Sequence, residues 1–415
     1  MGTLRLRTMA CIVLLLWLAT ATSSPAQNYK TIVKFRGANG ELPYGSLVQG
    51  KDGSFYGTTL RGGVSNLGCL LGCGTVFKIT PAGTLNVLHR FRPAPNCKDG
   101  TSAPAAGLVQ TANGKFYGTT VFGGKYCAGT VFEITPLGRL TTIYSFGSQG
   151  NDGQEPWSGL VQGAHGDFYG TTSAGGTYGE GTVFKITPAG KLTILHSFCQ
   201  DRFCTDGQTP FAGLVQGADG SFYGTTIGGG TNRSFHGVVF KITPTGKLTV
   251  LYSFCSKMNC TDGAFPGDAL VPGRDGSFYG TTRVGGNAND SGTVFKITPS
   301  GRLTTLYSFC SKANCLDGST PYAGLVQGLD GDFYGATLEG GLIFNECSGY
   351  GCGTVFKITP IGKLTTLHRF SSGGYATGPV GTLLRANNYF YGSTSGGGVG
   401  CTGIPGCGTV FRIRP

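Results

Sequence analysis

Charged residues and helical patterns are both scarce in this sequence. Asp, Glu, Lys and Arg make up only 13% of the 415 residues, and no amphipathic helical period appears after the N-terminal segment. These absences exclude a packed helical protein. Glycine, by contrast, occurs 75 times, and at that density it indicates turns and strands. We therefore expect an all-β chain.

Motifs that carry chemistry are also missing. The sequence contains no metal-ligand spacing, nucleophile elbow or phosphate-binding loop, so it offers no catalytic residue, no metal site and no cofactor to assign. We interpret its five histidines as structural. Three share a strand position with tyrosines, one lies in a hairpin turn and one in a loop: His89, His196, His368, His165 and His236.

The formal net charge of +12 at pH 7 raises the question of nucleic-acid binding. The distribution argues against it, because basic residues recur once per repeat instead of forming one patch. One such position is the Lys of "VFKIT": Lys78, Lys185, Lys241, Lys296 and Lys357, with Arg412 as the equivalent. We expect these residues to form a ring of solvated outer edges, where they discourage edge-to-edge pairing.

Long apolar runs are confined to the N-terminus. Residues 1–26 contain Arg5 and Arg7, then an apolar run over 10–19, then small residues that allow cleavage after Ala21 or Ala26. This pattern predicts a signal peptide, because the apolar part is too short to span a bilayer. No comparable run follows. We expect a protein without a transmembrane segment that is secreted, periplasmic or bound at the cell surface.

Repetition dominates the remainder of the chain. The stretch "DGSFYGTT" occurs at 52–59, 219–226 and 275–282, with near copies elsewhere. Its phenylalanine recurs seven times at intervals of 52 to 61 residues: Phe55, Phe116, Phe168, Phe222, Phe278, Phe333 and Phe390. Each unit contains four strand-like runs separated by Asp-Gly and Pro-x-Gly turns. Four-stranded units of this length predict the blades of a β-propeller.

The two ends of the chain predict a closed ring. The last unit stops at its third strand, "GTVFRIRP", whereas residues 29–35 match the fourth-strand pattern "KLTVLYSF". The N-terminal strand would complete the last blade by pairing with residues 408–413, which removes the open edges. We predict an all-β, seven-bladed β-propeller of four-stranded blades as a single domain over 27–415. A one-chain β-helix or a sandwich array is the alternative.

The units "GLVQGADGSFYGTT", "GTVFKIT" and "KLTVLYSF" resemble those of the Gloeo/Verruco (GloVer) tandem-repeat family of exported bacterial proteins, over residues 28–415. The resemblance implies secretion and tandem strand-rich units, and it supplies no catalytic residues. Two segments depart from the pattern, "GLDGDFYGAT" with Ala336 and "RANNYFYGST" with Arg385 and Asn387. Blades six and seven are therefore expected to be less regular.

Cysteine use agrees with export. Apart from Cys11 in the predicted signal peptide, most cysteines form close pairs: Cys69 with Cys73, Cys199 with Cys204, Cys255 with Cys260, Cys310 with Cys315, Cys347 with Cys352, and Cys401 with Cys407. Such spacing also occurs in zinc sites. No histidine accompanies these pairs, and an exported compartment favours oxidation, so we predict disulfides.

All of these cysteines are expected on one face of the ring. In an up-and-down blade, the connection between strands two and three lies on the same face as the link from strand four to the next blade. We call this the loop face. Binding residues usually lie on loops held by a rigid scaffold, so it is the predicted functional face. Its tallest walls are expected at residues 60–73, 338–352 and 395–407.

Acidic residues recur in the links as "DG" before a proline: Asp99, Asp152, Asp206, Asp262 and Asp317. We interpret them as turn caps. A carboxylate ring that binds a cation such as calcium is the alternative.

A variable position follows that proline, where the chain enters the innermost strand. It is occupied by Tyr44, Ala105, Trp157, Phe211, Gly267, Tyr322 and Val380. Innermost strands line the channel, so these residues should surround its mouth on the loop face. The aromatic members are candidate ligand-binding residues, because rigid rings can stack on sugars or peptide aromatics: Tyr44, Trp157, Phe211 and Tyr322. Packing beneath the loops is the alternative.

These observations predict a monomeric, exported binding or scaffold module for a glycan or protein ligand. The alternative is a secreted or periplasmic carbohydrate-active enzyme, a lyase or hydrolase. Such an enzyme needs two acids, or an acid and a base, that converge at one site. The recurrent acidic residues of the links are the only candidates for these groups that the sequence offers.

Two cysteines lack a local partner and generate a test of the loop face. Cys97 enters blade two from the last strand of blade one, and Cys127 lies in the long loop of blade two. If all loops share one face, these two cysteines should form a further disulfide. Non-reducing peptide mapping should recover them in one cross-linked fragment, whereas two free thiols would contradict both the pairing and the shared face.

Overall fold

The computed structural model describes residues 29–64, 72–92, 103–231, 235–342, 347, 349–371, 377–398, 401 and 406–415. They form seven antiparallel sheets and contain no α-helix, only three 3-10 turns at Gly37–Asn39, Met258–Cys260 and Ala313–Cys315. No helix in these ranges is long and apolar enough to cross a membrane. The predicted signal peptide, residues 1–26, lies outside them.

Each sheet is one blade of a β-propeller, with its strands in the order one to four from the axis outwards. The first strands are Val48–Gln49, Val109–Gln110, Val161–Gln162, Val215–Gln216, Val271–Pro272, Val326–Gln327 and Leu384–Ala386. The second strands are Phe55–Thr59, Phe116–Thr120, Phe168–Thr172, Phe222–Thr226, Phe278–Val284, Phe333–Thr337 and Tyr389–Gly396. Short additional strands, Ala264–Pro266 and Thr377–Pro379, pair with the second strands of blades five and seven.

The outer half of each blade follows the same order. The third strands are Thr75–Ile79, Thr130–Ile134, Thr182–Ile186, Val238–Ile242, Thr293–Ile297, Thr354–Ile358 and Thr409–Ile413. The fourth strands are Leu85–Arg90, Leu140–Ser145, Leu192–Ser197, Leu248–Ser253, Leu303–Ser308, Leu364–Arg369 and, from the N-terminus, Tyr29–Lys34.

The N-terminal strand closes the ring, which confirms the predicted split blade. Tyr29–Lys34 pairs antiparallel with Thr409–Ile413, with Tyr29 opposite Ile413. The N–H of Phe35 then donates to the carbonyl oxygen of Gly408 at 3.0 Å. The last blade thus takes its outermost strand from the start of the chain, and the seven-bladed propeller is confirmed.

A contact between two aromatic rings joins every blade to the next. The Tyr ring of each "FYG" lies against the Phe ring of the following blade, with centroids 3.9 to 4.3 Å apart. The pairs are Tyr56–Phe116, Tyr117–Phe168, Tyr169–Phe222, Tyr223–Phe278, Tyr279–Phe333, Tyr334–Phe390 and Tyr391–Phe55. Each of these residues is at most 5% exposed. The last pair returns to blade one, so the chain of contacts is circular.

The glycine of the same motif makes room for a ring from the adjacent strand. Gly57 lies opposite Phe77 in the sheet, and a Cβ atom at Gly57 would come within 2.6 Å of Phe77 Cζ. The equivalent glycines of the other blades are equally crowded. A larger residue would force the strands apart in a close-packed interior. The repeated "FYG" therefore supplies both the contact between blades and the space beside it.

The lysines of "VFKIT" sit on third strands, keep 25–33% of the side chain exposed and pair with carboxylates of the hairpin turns: Lys78–Asp52, Lys185–Asp167, Lys241–Asp219, Lys296–Asp275 and Lys357–Asp330. Burial raises the pKa of Asp52, but hydrogen bonds from Lys78 and Tyr56 outweigh it and lower that pKa to about 2. Blade two reverses the signs, with Glu133 in the lysine position paired to Lys115 at 2.7 Å.

Both classes of long connection meet on the loop face. In blade four, the N–H of Gly230, between strands two and three, donates to the carbonyl oxygen of Cys204 in the incoming link at 2.9 Å. Blades five and six repeat this bond with Gly286 to Cys260 and with Gly341 to Cys315. The predicted shared face is therefore present in these blades.

Five of the predicted disulfides are present: Cys199–Cys204, Cys255–Cys260, Cys310–Cys315, Cys347–Cys352 and Cys401–Cys407. Cys73 and Cys127 are also disulfide-bonded. Cys69 and Cys97, which were predicted as their partners, lie outside the described residues. The two pairings that involve them stay predictions.

His368 takes part in the closure of the ring. It occupies the outer-strand position that holds tyrosine in other blades, opposite Val355, and its imidazole stacks on the ring of Tyr29 with centroids 4.0 Å apart. Burial lowers the pKa of His368 to about 4. The folded ring therefore resists protonation of a side chain that titrates near about pH 6.5 in an unfolded chain.

The stability of the protein should fall as the pH drops from about 6.5 to about 4, because over that window the unfolded chain binds a proton at His368 and the folded ring does not. Between about pH 7 and pH 4.5, the wild type should lose about 1–2 kcal/mol more of its free energy of unfolding than His368→Tyr does, as measured by urea unfolding. The control is His165→Asn, which removes a histidine from an exposed hairpin position. Equal pH dependence in His368→Tyr and the wild type would contradict this role.

Candidate ligand-binding site at the channel mouth

A cavity of about 320 Å³ lies at the loop-face end of the channel. Its wall contains every residue of the variable position that follows the link proline: Tyr44, Ala105, Trp157, Phe211, Gly267, Tyr322 and Val380. The structure therefore brings the four predicted ligand-binding residues to one site. The three non-aromatic members belong to blades two, five and seven.

A backbone corner of fixed geometry positions this residue in every blade. The residue before the proline has a left-handed φ of 28° to 62° in each copy: Leu42, Ala103, Glu155, Thr209, Phe265, Thr320 and Gly378. In blade one, the N–H of Leu42 donates to the carbonyl oxygen of Cys407 in blade seven, and its own carbonyl accepts from Leu60, both at 2.9 Å. The left-handed backbone conformation is uncommon for residues other than glycine, and it persists here because the surrounding hydrogen bonds hold it in place. The mouth is therefore built on rigid backbone.

The four aromatic residues form an arc around the cavity. Trp157 stacks on Phe211 with centroids 4.9 Å apart, and Tyr44 meets Tyr322 edge-on at 5.6 Å. The guanidinium group of Arg283 connects the two pairs, because it lies 4.0 Å from the Tyr322 centroid and 5.6 Å from that of Phe211. All four rings are half-buried. They pack on one another and still present surface to the cavity.

Asp268 is a functional candidate that the sequence analysis missed. It lies in the cavity wall, one residue after the variable position, where the other blades have Gly, Ala or Ser. Its Oδ2 accepts hydrogen bonds from the N–H of Gly324 at 2.6 Å and from the hydroxyl of Thr382 at 2.7 Å. Its Oδ1 accepts from the N–H of Ala269 at 2.7 Å. Asp268 thus links blade five to blades six and seven.

Tyr44 presents a protonated hydroxyl group to this site. Burial raises its pKa well above the usual range, and the neighbouring Tyr322 adds to the increase, whereas the charge of Arg283 opposes it. The phenol therefore stays neutral at physiological pH and can donate a hydrogen bond.

Among the described residues, the recurrent link carboxylates do not line this cavity. Asp152, Asp262 and Asp317 are buried, and each accepts a hydrogen bond of 2.6 to 2.7 Å from an outer-strand tyrosine hydroxyl. Asp206 instead lies 2.8 Å from Nε2 of His196, which replaces the tyrosine. Asp99 lies outside the described residues. Backbone N–H groups of the links also donate to these carboxylates, as from Gly147 to Asp152 at 3.0 Å and from Ser256 to Asp262 at 2.9 Å. These backbone bonds match the turn-cap interpretation, and the calcium alternative stays a prediction.

Two groups of side chains among the described residues have the proximity of a metal site. One contains His236 with Cys255 and Cys260, and the other contains Glu41 with Cys401 and Cys407. In both groups the two sulfur atoms are joined in a disulfide, so they cannot serve as thiolate ligands. Neither group supports a metal site.

The fold and the cavity define a class of protein, a seven-bladed β-propeller with a ligand-sized cavity at one end of its channel. The model of the Gloeobacter/Verrucomicrobia repeat matches residues 68–271 and 205–411. Because these matches together extend over most of the chain, the protein belongs to that repeat family. No curated protein matches the chain.

Several solved structures are similar in fold. The extracellular domain of a hybrid two-component system from B. thetaiotaomicron has a TM-score of 0.55 at 13% identity, over 94% of this chain and 41% of that chain. A glucose dehydrogenase-type oxidoreductase from Thermus thermophilus has a TM-score of 0.47 at 14% identity, over 93% and 99% of the two chains. A gluconolactonase from Xanthomonas campestris has a TM-score of 0.42 at 13% identity, over 74% and 85%. At such identities the likeness concerns the fold alone.

The bond between Asp268 and Thr382 should stabilise the ring across its axis. Asp268→Ala introduces the residue that blades two, four and six carry at this position, and Thr382→Val removes the hydroxyl at nearly unchanged size. Each change should lower the free energy of unfolding by about 1–2 kcal/mol. In a double-mutant cycle followed by urea unfolding, the two losses should couple by about 0.5 kcal/mol or more. Additive losses would show that the contact contributes nothing.

Proposed function

We propose that this protein is an exported binding module that holds a glycan at the mouth of its channel. The arc of half-buried aromatic rings formed by Tyr44, Trp157, Phe211 and Tyr322 carries the proposal. Flat apolar faces suit the C–H surface of a sugar ring. Because the backbone corners already hold the rings, a ligand would bind with little ordering cost.

Polar groups beside the rings complement sugar hydroxyls. Ser46, Ser158, Asp268 and Thr382 all contribute to the cavity wall, so donors and acceptors stand next to the aromatic faces. Small-ligand sites typically combine an apolar lining with a few placed polar groups, in volumes of about 300–1,000 Å³. The cavity of about 320 Å³ is at the low end of that range, which favours one end or one unit of a glycan.

A glycan chain that leaves the cavity would meet more aromatic rings. Exposed rings on the loop face, between 38% and 70% accessible, are Tyr126, Tyr178, Phe203, Phe235 and Tyr350. They stand on connections between strands two and three or on the link into blade four. Exposed aromatic rings can stack on the faces of further sugar units. A protein ligand is the less favoured alternative, because a standard interface buries about 800 Å² on each side, far more than the mouth offers.

Binding has more support than catalysis. A glycosidase needs two carboxyl groups around the scissile bond, and Asp268 is the only carboxylate among the described residues that line the cavity. Both of its oxygens already accept hydrogen bonds from the protein. Export agrees with the five disulfides, because such bonds persist mainly in oxidising compartments.

Trp157→Ala should weaken glycan binding by about 1 kcal/mol or more, by analogy with the energies of aromatic contacts. Ligands found on a glycan array would be titrated against the wild type and the variant, and both proteins would be unfolded thermally. The ring should stay folded, because only one of the seven blades carries Trp at this position. The control is Leu137→Ala, which removes a 94% exposed side chain from the opposite face. Unchanged affinity with lost stability would mean that Trp157 serves packing only.

A further inference from the structure

Blade five differs from the other blades at two positions that meet in space. After "FYGTT" the other blades continue with Leu60, Val121, Ser173 and Ile227, after "FYGAT" with Leu338 and after "FYGST" with Ser395, whereas blade five has Arg283. Blade five also has Gly267 at the variable position of the mouth. A Cβ atom at Gly267 would lie 2.6 Å from Nε of Arg283. The missing side chain thus creates the space that Arg283 occupies.

The guanidinium group of Arg283 lies beside the cavity, between Tyr322 and Phe211 of its wall. It stacks over Tyr322 at 4.0 Å and faces Phe211 at 5.6 Å, and one Nη donates a long bond of 3.5 Å to the carbonyl oxygen of Gly267. Its Nε is buried and has no hydrogen-bond partner. Nothing in the packing of blade five requires a cation, since six other blades use a neutral residue here.

No carboxylate of the described residues forms an ion pair with Arg283. Asp268, the carboxylate in the cavity wall, is held instead by Gly324, Thr382 and Ala269. A half-buried cation whose N–H group lacks a hydrogen-bond partner destabilises the folded state, unless an anion or a water molecule accepts that hydrogen bond. Guanidinium groups match carboxylates with paired hydrogen bonds, and stacking on aromatic rings fixes their plane.

We infer that Arg283 makes the channel mouth a site for carboxylate-bearing sugars, that is, uronic acids. The inference rests on the proposed glycan binding and specifies its ligand class. A uronic acid has the three features that the mouth complements. Its ring face fits Trp157 and Phe211, its carboxylate fits Arg283, and its hydroxyls fit the polar wall that contains Asp268. Sulfated sugars share the negative charge, and a tetrahedral oxyanion can also pair with the guanidinium fork, so the test includes a sulfated sugar.

The test compares a galacturonate trimer with its methyl ester, which keeps the rings and loses the charge. Titration calorimetry at neutral pH should show that the wild type binds the acid at least about tenfold more tightly than the ester, as expected for a hydrogen-bonded charge. Arg283→Leu installs the residue of blades one and six and should reduce this ratio to about one. Arg283→Lys keeps the positive charge but loses the paired N–H groups of the guanidinium, so it should retain only part of the preference for the acid over the ester.

Two further comparisons, with a sulfated sugar and with Trp157→Ala, test the carboxylate assignment. A sulfated galactose trimer should bind the wild type more weakly than the galacturonate trimer, and tighter binding would overturn the carboxylate assignment. An acid-to-ester ratio near one in the wild type, or a ratio unchanged by Arg283→Leu in a folded variant, would also overturn it. Trp157→Ala should weaken acid and ester alike. If neither trimer binds while neutral glycans on the array do, uronate selectivity fails and the proposed glycan binding stands.

Discussion

The contact between the tyrosine of one blade and the phenylalanine of the next is the interaction on which the rest of this ring depends. A four-stranded sheet has two faces and cannot cover both by itself, so each blade is stable only against its neighbours. The "FYG" motif places Tyr towards one neighbour and Phe towards the other, and its glycine leaves room for the ring of the third strand. Closure by Tyr29–Lys34 gives the last blade the same support as the others.

The site at the mouth is a consequence of this regularity. Every blade delivers its innermost strand to the axis through the same left-handed corner, and in six blades a hydrogen bond ties that corner to the preceding blade. Backbone geometry is thus shared, and the side chain that follows each proline is free to differ. A cavity with seven independent wall positions results, in which Trp157, Gly267 and Tyr322 occupy equivalent places with different chemistry.

Departures from the repeat occur as compensated pairs. Blade two exchanges the signs of an ion pair, with Glu133 and Lys115 in place of the usual lysine and aspartate. His196 replaces a tyrosine and keeps its partner carboxylate, Asp206. In blade five, Gly267 has no side chain, and the long side chain of Arg283 fills the space beside it. Packing is preserved in each case while the local charge or polarity changes, which is how a repetitive ring acquires a single asymmetric site.

The repeat period and its interrupted last unit determined the fold from the sequence alone, because strand alternation, turn residues and the missing fourth strand are all local or periodic signals. The same register identified Tyr44, Trp157, Phe211 and Tyr322 as mouth residues. Only the tertiary structure revealed Asp268 in the wall of the cavity and Arg283 beside it. Their partners, Thr382 and Tyr322, come from other blades, and no sequence pattern tells how far a side chain reaches across the channel. The ion pairs of the "VFKIT" lysines also came from the structure alone, since their carboxylates lie across the sheet on another turn.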